Sequence, residues 1–249
     1  MTRPGRLILI LPVVLSIACA SRGPSLEGLD GDALFALGME ELERRRWESA
    51  AQTFERLIFT HPNHPRVAEA RFRIGETYQG RREWLTAALE FNRLAAEFPA
   101  GAWADDARFQ VCRSYYEMSP PPQLDQEYTH QALDHCQSLL IFYPESEFVP
   151  EAEAIIEEMV NRLAEKEYLI GEDYYRRRAF DSAAIYYDAL AREYPMTRWA
   201  PRALLRLVQI YDRLGYEPEA RSARDRLLQQ FPDSPEAQQV RGAAAAADS

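Results

Sequence analysis

The sequence predicts an all-α protein, an α-solenoid of five helix-turn-helix repeats. Two observations carry that prediction. Phe98-Pro99, Tyr143-Pro144, Tyr194-Pro195 and Phe231-Pro232 each close an amphipathic segment, and His61-Pro62 joins them. Gly38, Gly75, Gly171 and Val208 stand at one constant distance before Pro62, Pro99, Pro195 and Pro232. Between them alanine recurs at a fixed offset (Ala50, Ala87, Ala183, Ala220), and so does leucine (Leu57, Leu94, Leu190, Leu227). Internal recurrence at a fixed period marks stacked helical units.

The first two copies run from Gly38 to Pro62 and from Gly75 to Pro99, with Phe54 and Phe91 sixteen positions after their glycines. The third starts at Cys112 and keeps the same order after an eight-residue insertion visible as "MSPPPQLDQ", giving Ala132, Cys136, Leu139 and Pro144. The step from one copy to the next is constant except between Cys112 and Gly171, where the insertion leaves fourteen further residues to be placed between Pro144 and Gly171. No glycine or proline interrupts Glu151 to Ile170, and fourteen residues make about four helical turns. One long helix of about 28 residues, Pro150 to Arg177, is therefore expected to open the fourth repeat, projecting past its neighbours or coupling the two halves. The fourth copy continues through Ala183, Tyr187 and Pro195. The fifth breaks the aromatic rule with Arg224.

Each recurring residue has a physical duty. A glycine inside a helix costs about 1 kcal/mol in propensity, which close packing has to offset. Glycine on the first helix (A) facing alanine on the second (B) would let the two cross closely. The aromatic residue four positions after the alanine shares its face. Proline ends helix B because it lacks an N–H and restricts the residue before it. This pattern over residues 32 to 235 resembles the tetratricopeptide repeat.

At the N-terminus, Arg3 and Arg6 precede an apolar run from Leu7 to Ile17, too short to span a bilayer as a helix. Residues 1–18 read as a signal peptide. "VVLSIACAS" resembles a lipobox, which makes Cys19 the lipidated first residue of the mature chain and residues 19–31 its tether; the alternative is an ordinary cleaved signal. Two or more acyl chains give stable membrane anchoring, and Ala20 after the cysteine resembles lipoproteins sent to the outer membrane. Residues 236–249 read as a disordered tail. The net charge of −10 opposes binding to nucleic acid.

Enzyme chemistry finds little support. There is no glycine-rich phosphate loop, no G-x-S-x-G and no H-E-x-x-H. His130 and His135 lie five apart, a poor chelating distance on a helix, and His61 and His64 flank the turn "HPNHP". No catalytic residue, metal or cofactor is expected. Cys112 and Cys136 hold the glycine and aromatic positions of the third repeat, where they are either two small buried residues or, in an oxidising compartment, a disulfide.

Partner binding fits better. Three positions before the glycine site stand Phe35, Phe72, Phe109, Tyr168 and Leu205, and four positions after it Leu42, Gln79, Tyr116, Tyr175 and Asp212. In tetratricopeptide proteins these positions contribute to the inner surface. Phe35, Phe72, Phe109 and Tyr116 are the candidate substrate-peptide groove; the alternative is that the aromatics pack the A helices together. Tyr175, Arg176, Arg177 and Arg178 are candidate partner contacts, although arginines recur at 44–46 and 81–82, where they serve helix C-termini.

The acylated cysteine, short tether, five repeats, proline-containing insertion followed by "DQEYTHQALDHCQSLLIFYPESEF", and long helix ending "LAEKEYLIGEDYYRRRAFDSAA" together resemble the YfiO/ComL-type lipoproteins of the outer-membrane β-barrel assembly machinery. The resemblance implies a non-enzymatic periplasmic scaffold. Residues 32–144 would recognise unfolded outer-membrane proteins. Residues 145–235 would dock on the POTRA domains of the barrel-forming subunit, and Cys19 would hold the chain to outer-membrane lipid. The competing reading is a tetratricopeptide adaptor for peptidoglycan or cell-division proteins.

Overall fold

The computed structural model describes residues 26–247; the signal segment and Cys19 lie outside them. Five antiparallel hairpins stack in sequence: α1 (Gly31–Glu43) with α2 (Trp47–Thr60), α3 (Val67–Gly80) with α4 (Trp84–Glu97), α5 (Ala104–Met118) with α6 (Glu127–Phe142), α7 (Val149–Arg176) with α8 (Phe180–Glu193), and α9 (Ala200–Leu214) with α10 (Glu217–Gln230). Among the described residues all regular structure is helical.

The prolines act as their chemistry requires. His61, Phe98, Tyr143, Tyr194 and Phe231 each cap a B helix with φ between −124° and −135°. Each donates its N–H to the carbonyl of the leucine four positions earlier. The following proline excludes the α conformation from that residue, so the helix stops there.

At the other end of the hairpins, Arg45, Arg82 and Arg178 adopt left-handed φ values of 56°, 60° and 61°, where the fifth repeat has Gly215 at 76°. The next N–H bonds the carbonyl five positions back, as from Arg46 to Glu41 and from Glu83 to Tyr78. This six-residue closure satisfies a carbonyl that the helix end would otherwise leave unpaired.

The recurring glycines make room for rings, which corrects the expectation that they face alanine. A Cβ on Gly38 would lie 2.6 Å from Phe54, on Gly75 2.5 Å from Phe91, and on Gly171 2.6 Å from Tyr187. Phe54, Phe91 and Tyr187 are fully buried, so each ring sits against bare backbone. In the third repeat the same two positions are joined as a disulfide, Cys112–Cys136, with Cα atoms 4.9 Å apart. In the fifth, Val208 is buried in the last core, and Arg224 pairs with Asp212.

The long helix α7 couples the two halves. Ala152, Ile155, Met159 and Leu163 on its first half pack with Phe109, Cys112, Cys136 and Leu139 of the third hairpin. Ala164 and the second half pack against α8 and α9. Fourteen extra residues at 1.5 Å each displace the last two hairpins by about 21 Å along this axis. The insertion docks at the middle of α7: Arg162 donates to the carbonyls of Ser119 and Pro120, and Lys166 to that of Leu124. Buried Gln126 closes the loop by donating to Pro121 and Leu124 and accepting from Thr129.

The tail expected to be loose begins as a helix, α11 (Pro235–Ala247), with Ala237 and Val240 buried in the last core. The final hairpin would otherwise leave an apolar face in water, as terminal repeats do without a cap.

Candidate partner-binding surfaces

Successive A helices form one surface of the solenoid, and it was there that an aromatic groove was expected. Phe35, Phe72 and Phe109 lie on it but are buried, 1%, 4% and 1% exposed. Their cover comes from the residue four positions after each proline, at the start of the next A helix. The Arg66 guanidinium lies 3.4 Å from the centre of the Phe35 ring. Trp103 packs 4.8 Å from Phe72, Phe148 stacks 4.7 Å from Phe109, and Trp199 lies 5.0 Å from Tyr168. The three phenylalanines therefore join neighbouring repeats and present no face to a ligand. A ring that lines a helix-helix seam is worth more buried than wet.

Tyr116 remains partly exposed, but its hydroxyl is engaged, donating to Glu158 at 2.8 Å. Polar bridges of this kind link the A helices from α3 onward. Gln79 donates to Gln110 and Ser114 between α3 and α5. Glu172 accepts two bonds from Arg206, at 2.6 and 3.1 Å, and one from the Tyr187 hydroxyl at 2.7 Å. Burial, then the Glu172 carboxylate, push the Tyr187 phenol far above its ordinary range, so it stays a donor. Burial works against the Arg206 charge, and its bonds to Glu172 and Tyr168 more than offset that. Bidentate geometry makes this a firm tie between the fourth and fifth repeats.

The second set of candidates divides. Tyr175 is half-buried, edge-on to Phe180 and beneath the Arg206 guanidinium, 4.8 Å away. Arg176 and Arg177 have side chains 72% and 71% exposed, and both reach Asp173. Arg178 is exposed at the left-handed turn position. The arginines are thus available to a partner, and Tyr175 belongs to the packing beneath them. On the outer face of α8, exposed Ile185 adjoins Tyr186, which stacks on Tyr174 at 5.3 Å.

Where the solenoid steps, an open cleft of about 630 Å³ lies between the insertion (Pro121, Pro122), the middle of α7 (Ala154, Glu157) and the turn before α9 (Met196, Arg198). Among the described residues no group of three or more His, Cys, Asp or Glu is set to hold a metal ion. No described helix is long and apolar enough to cross a membrane.

A family model described as "YfiO: Outer membrane lipoprotein" matches residues 29–227, from just before α1 to Leu227 in α10. The chain belongs to the YfiO family. Two relatives match along nearly all of it rather than over one repeat. One, from Rickettsia prowazekii, is named outer membrane protein assembly factor BamD and is 24% identical over 228 residues, covering 91% of this chain and 90% of that protein. Another of the same name, from Caulobacter vibrioides, is 26% identical over 224 residues, covering 88% and 73%. Among solved structures, the complex of the TPR2AB domain of yeast Sti1 with pHSP90 superposes with a TM-score of 0.44 at 14% identity, covering 83% of this chain and 80% of that one.

The YfiO match includes the insertion, the long helix and the disulfide-bearing repeat. Sequence reasoning passed over Arg66, Trp103, Phe148 and Trp199, although their constant offset from the prolines was available. It also missed Glu172 with Arg206, a pair separated by 34 residues that no repeat offset brings to notice.

Proposed function

We propose that this YfiO-family protein is a non-enzymatic scaffold lipoprotein of the β-barrel assembly machinery, acting in the assembly and insertion of β-barrel proteins into the outer membrane. The observation that carries it is the match along about nine-tenths of the chain to two relatives named BamD. Repeat proteins of this kind act by presenting extended surfaces to partners.

In this reading acylated Cys19 holds the chain at the periplasmic face of the outer membrane. Residues 145–235 dock on POTRA domains of the barrel-forming subunit. Arg176 and Arg177, exposed though paired with Asp173, exposed Arg178 and the outward face of α8 with Ile185 are the surfaces offered for this docking. Residues 32–144 receive unfolded barrel proteins. With Phe35, Phe72 and Phe109 buried, the substrate contact shifts to the partly exposed Tyr116, Glu158 and the cleft at the step.

Affinity capture of the full-length chain from detergent-solubilised membranes tests this. A POTRA-containing barrel protein in the eluate, lost on reversing the three arginines to glutamate, is the expected result. A peptidoglycan hydrolase or synthase in its place would establish the adaptor reading instead.

A further inference from the structure

The N-terminal half carries a row of exposed apolar side chains at one offset of the repeat. Phe59, near the end of the first repeat, is 80% exposed; Ile141 holds the same place in the third repeat, after its insertion, and is 72% exposed, with Phe142 beside it at 67%. The second repeat has Ala96 there. In the displaced C-terminal half the offset is polar, with Arg192 and Gln229. Single exposed apolar residues are ordinary on a protein surface. Here the same place is apolar and exposed in the first and third repeats, whereas on the corresponding edge of the C-terminal half the exposed apolar side chain, Met196, stands at another offset.

That edge is where the chain enters the fold. Phe59 lies in the last turn of α2, and Ile141 and Phe142 end α6. The turns that follow stand side by side, the Tyr143 hydroxyl donating to the Pro99 carbonyl and Phe98 packing into the first core. His61 lies 3.3 Å from the Leu29 carbonyl oxygen, and the His64 ring sits against Gly31, pinning the start of α1 to the turn after Phe59. From Cys19 to Asp30 the chain spans at most about 40 Å fully extended. The opposite edge lies about 20 Å further off, one helix length away.

We propose that this edge is a membrane contact: Phe59, Ile141 and Phe142 enter the interfacial region of a phospholipid bilayer and fix the orientation of the anchored solenoid. The proposal rests on the anchoring of Cys19 described above. Glu145 and Glu147 share the edge with Arg66 and with Glu97, which is paired to Arg71, so insertion of apolar side chains rather than net charge is what holds it. One acyl-anchored point leaves a protein free to swivel; a second, apolar contact two repeats away removes that freedom.

The test places an environment-sensitive fluorophore at Phe59→Cys, Ile141→Cys or, as the far-edge control, Arg82→Cys in the full-length chain on phosphatidylcholine vesicles. Mass spectrometry of the mature N-terminus reports acylation separately. Blue-shifted emission and quenching by acyl-chain spin labels at 59 and 141, with neither at 82, is expected. The same signals from a non-acylated chain would retain the contact and reject the anchor. Water-like emission at 59 and 141 overturns the contact: in an acylated, vesicle-bound chain the anchor stands alone, and in a non-acylated chain both readings fall.

Discussion

Cys112 and Cys136 are bonded to each other at the two positions where the first, second and fourth repeats set a glycine against an aromatic ring. One covalent bond does in the third repeat what ring-on-backbone packing does elsewhere. Closing a loop of 24 residues restricts the unfolded chain by about 3 kcal/mol in the chain-entropy account. Reduction, or Cys112→Ser with Cys136→Ser, should therefore lower the stability of the folded chain by roughly that amount, read from urea unfolding. Cys112→Gly with Cys136→Phe restores the residue pair of the other repeats and should recover part of the loss without a disulfide.

Gly75→Ala should destabilise although alanine is the better helix former. The new Cβ would meet the Phe91 ring at 2.5 Å, and overpacking of this kind costs about 1–3 kcal/mol. Gly242→Ala, in α11 with nothing within 4 Å of the new atom, should do the opposite, gaining up to about 1 kcal/mol. Thermal melts of the two variants test the difference in sign.

Arg82→Gly and Arg178→Gly should each raise stability, by about 1 kcal/mol, because a left-handed backbone is costly for a residue with a Cβ. If Arg178 serves a partner, its variant should gain stability while losing capture of that partner, and Arg82→Gly should gain without loss. Chemical denaturation and affinity capture on the same two variants separate these outcomes.

His135 gives the third repeat a pH dependence. Burial, then the charge of Arg108, hold its imidazole below the ordinary value of 6.5, with Asp134 opposing, while the ring stacks on Tyr115 at 5.0 Å. The unfolded chain then takes up the proton first, so stability falls as pH drops below about 6.5 toward the folded value. His135→Phe should keep the stacking and flatten that part of the stability profile, measured as urea midpoints across the mildly acidic to neutral range.

The repeat was legible because glycine, alanine, leucine and proline act within one hairpin at fixed offsets, and the long helix because the surplus before Gly171 falls in a stretch, Glu151 to Ile170, that no glycine or proline interrupts. Phe35, Phe72 and Phe109 follow the alternative reading, packing the A helices together rather than lining a groove, because their cover comes from Arg66, Trp103 and Phe148 in the next repeat. Burial there is set between repeats, and a single-repeat pattern does not report it. The Glu172–Arg206 tie and the docking of the insertion on Arg162 and Lys166 depend on how α7 sets the angle between the halves, which spacing alone does not encode. The α11 cap followed from an unpartnered last hairpin, a need visible only once the stack is closed.

If the chain promotes β-barrel assembly, a barrel protein should insert faster in its presence. Vesicles carrying the POTRA-containing barrel subunit, with or without the acylated chain, would be given a urea-unfolded outer-membrane protein. Its protease-resistant, membrane-inserted form would be followed over time. Faster insertion with the chain present, reduced when Arg176, Arg177 and Arg178 are reversed, is the predicted result; equal rates with and without a bound, folded chain would contradict it.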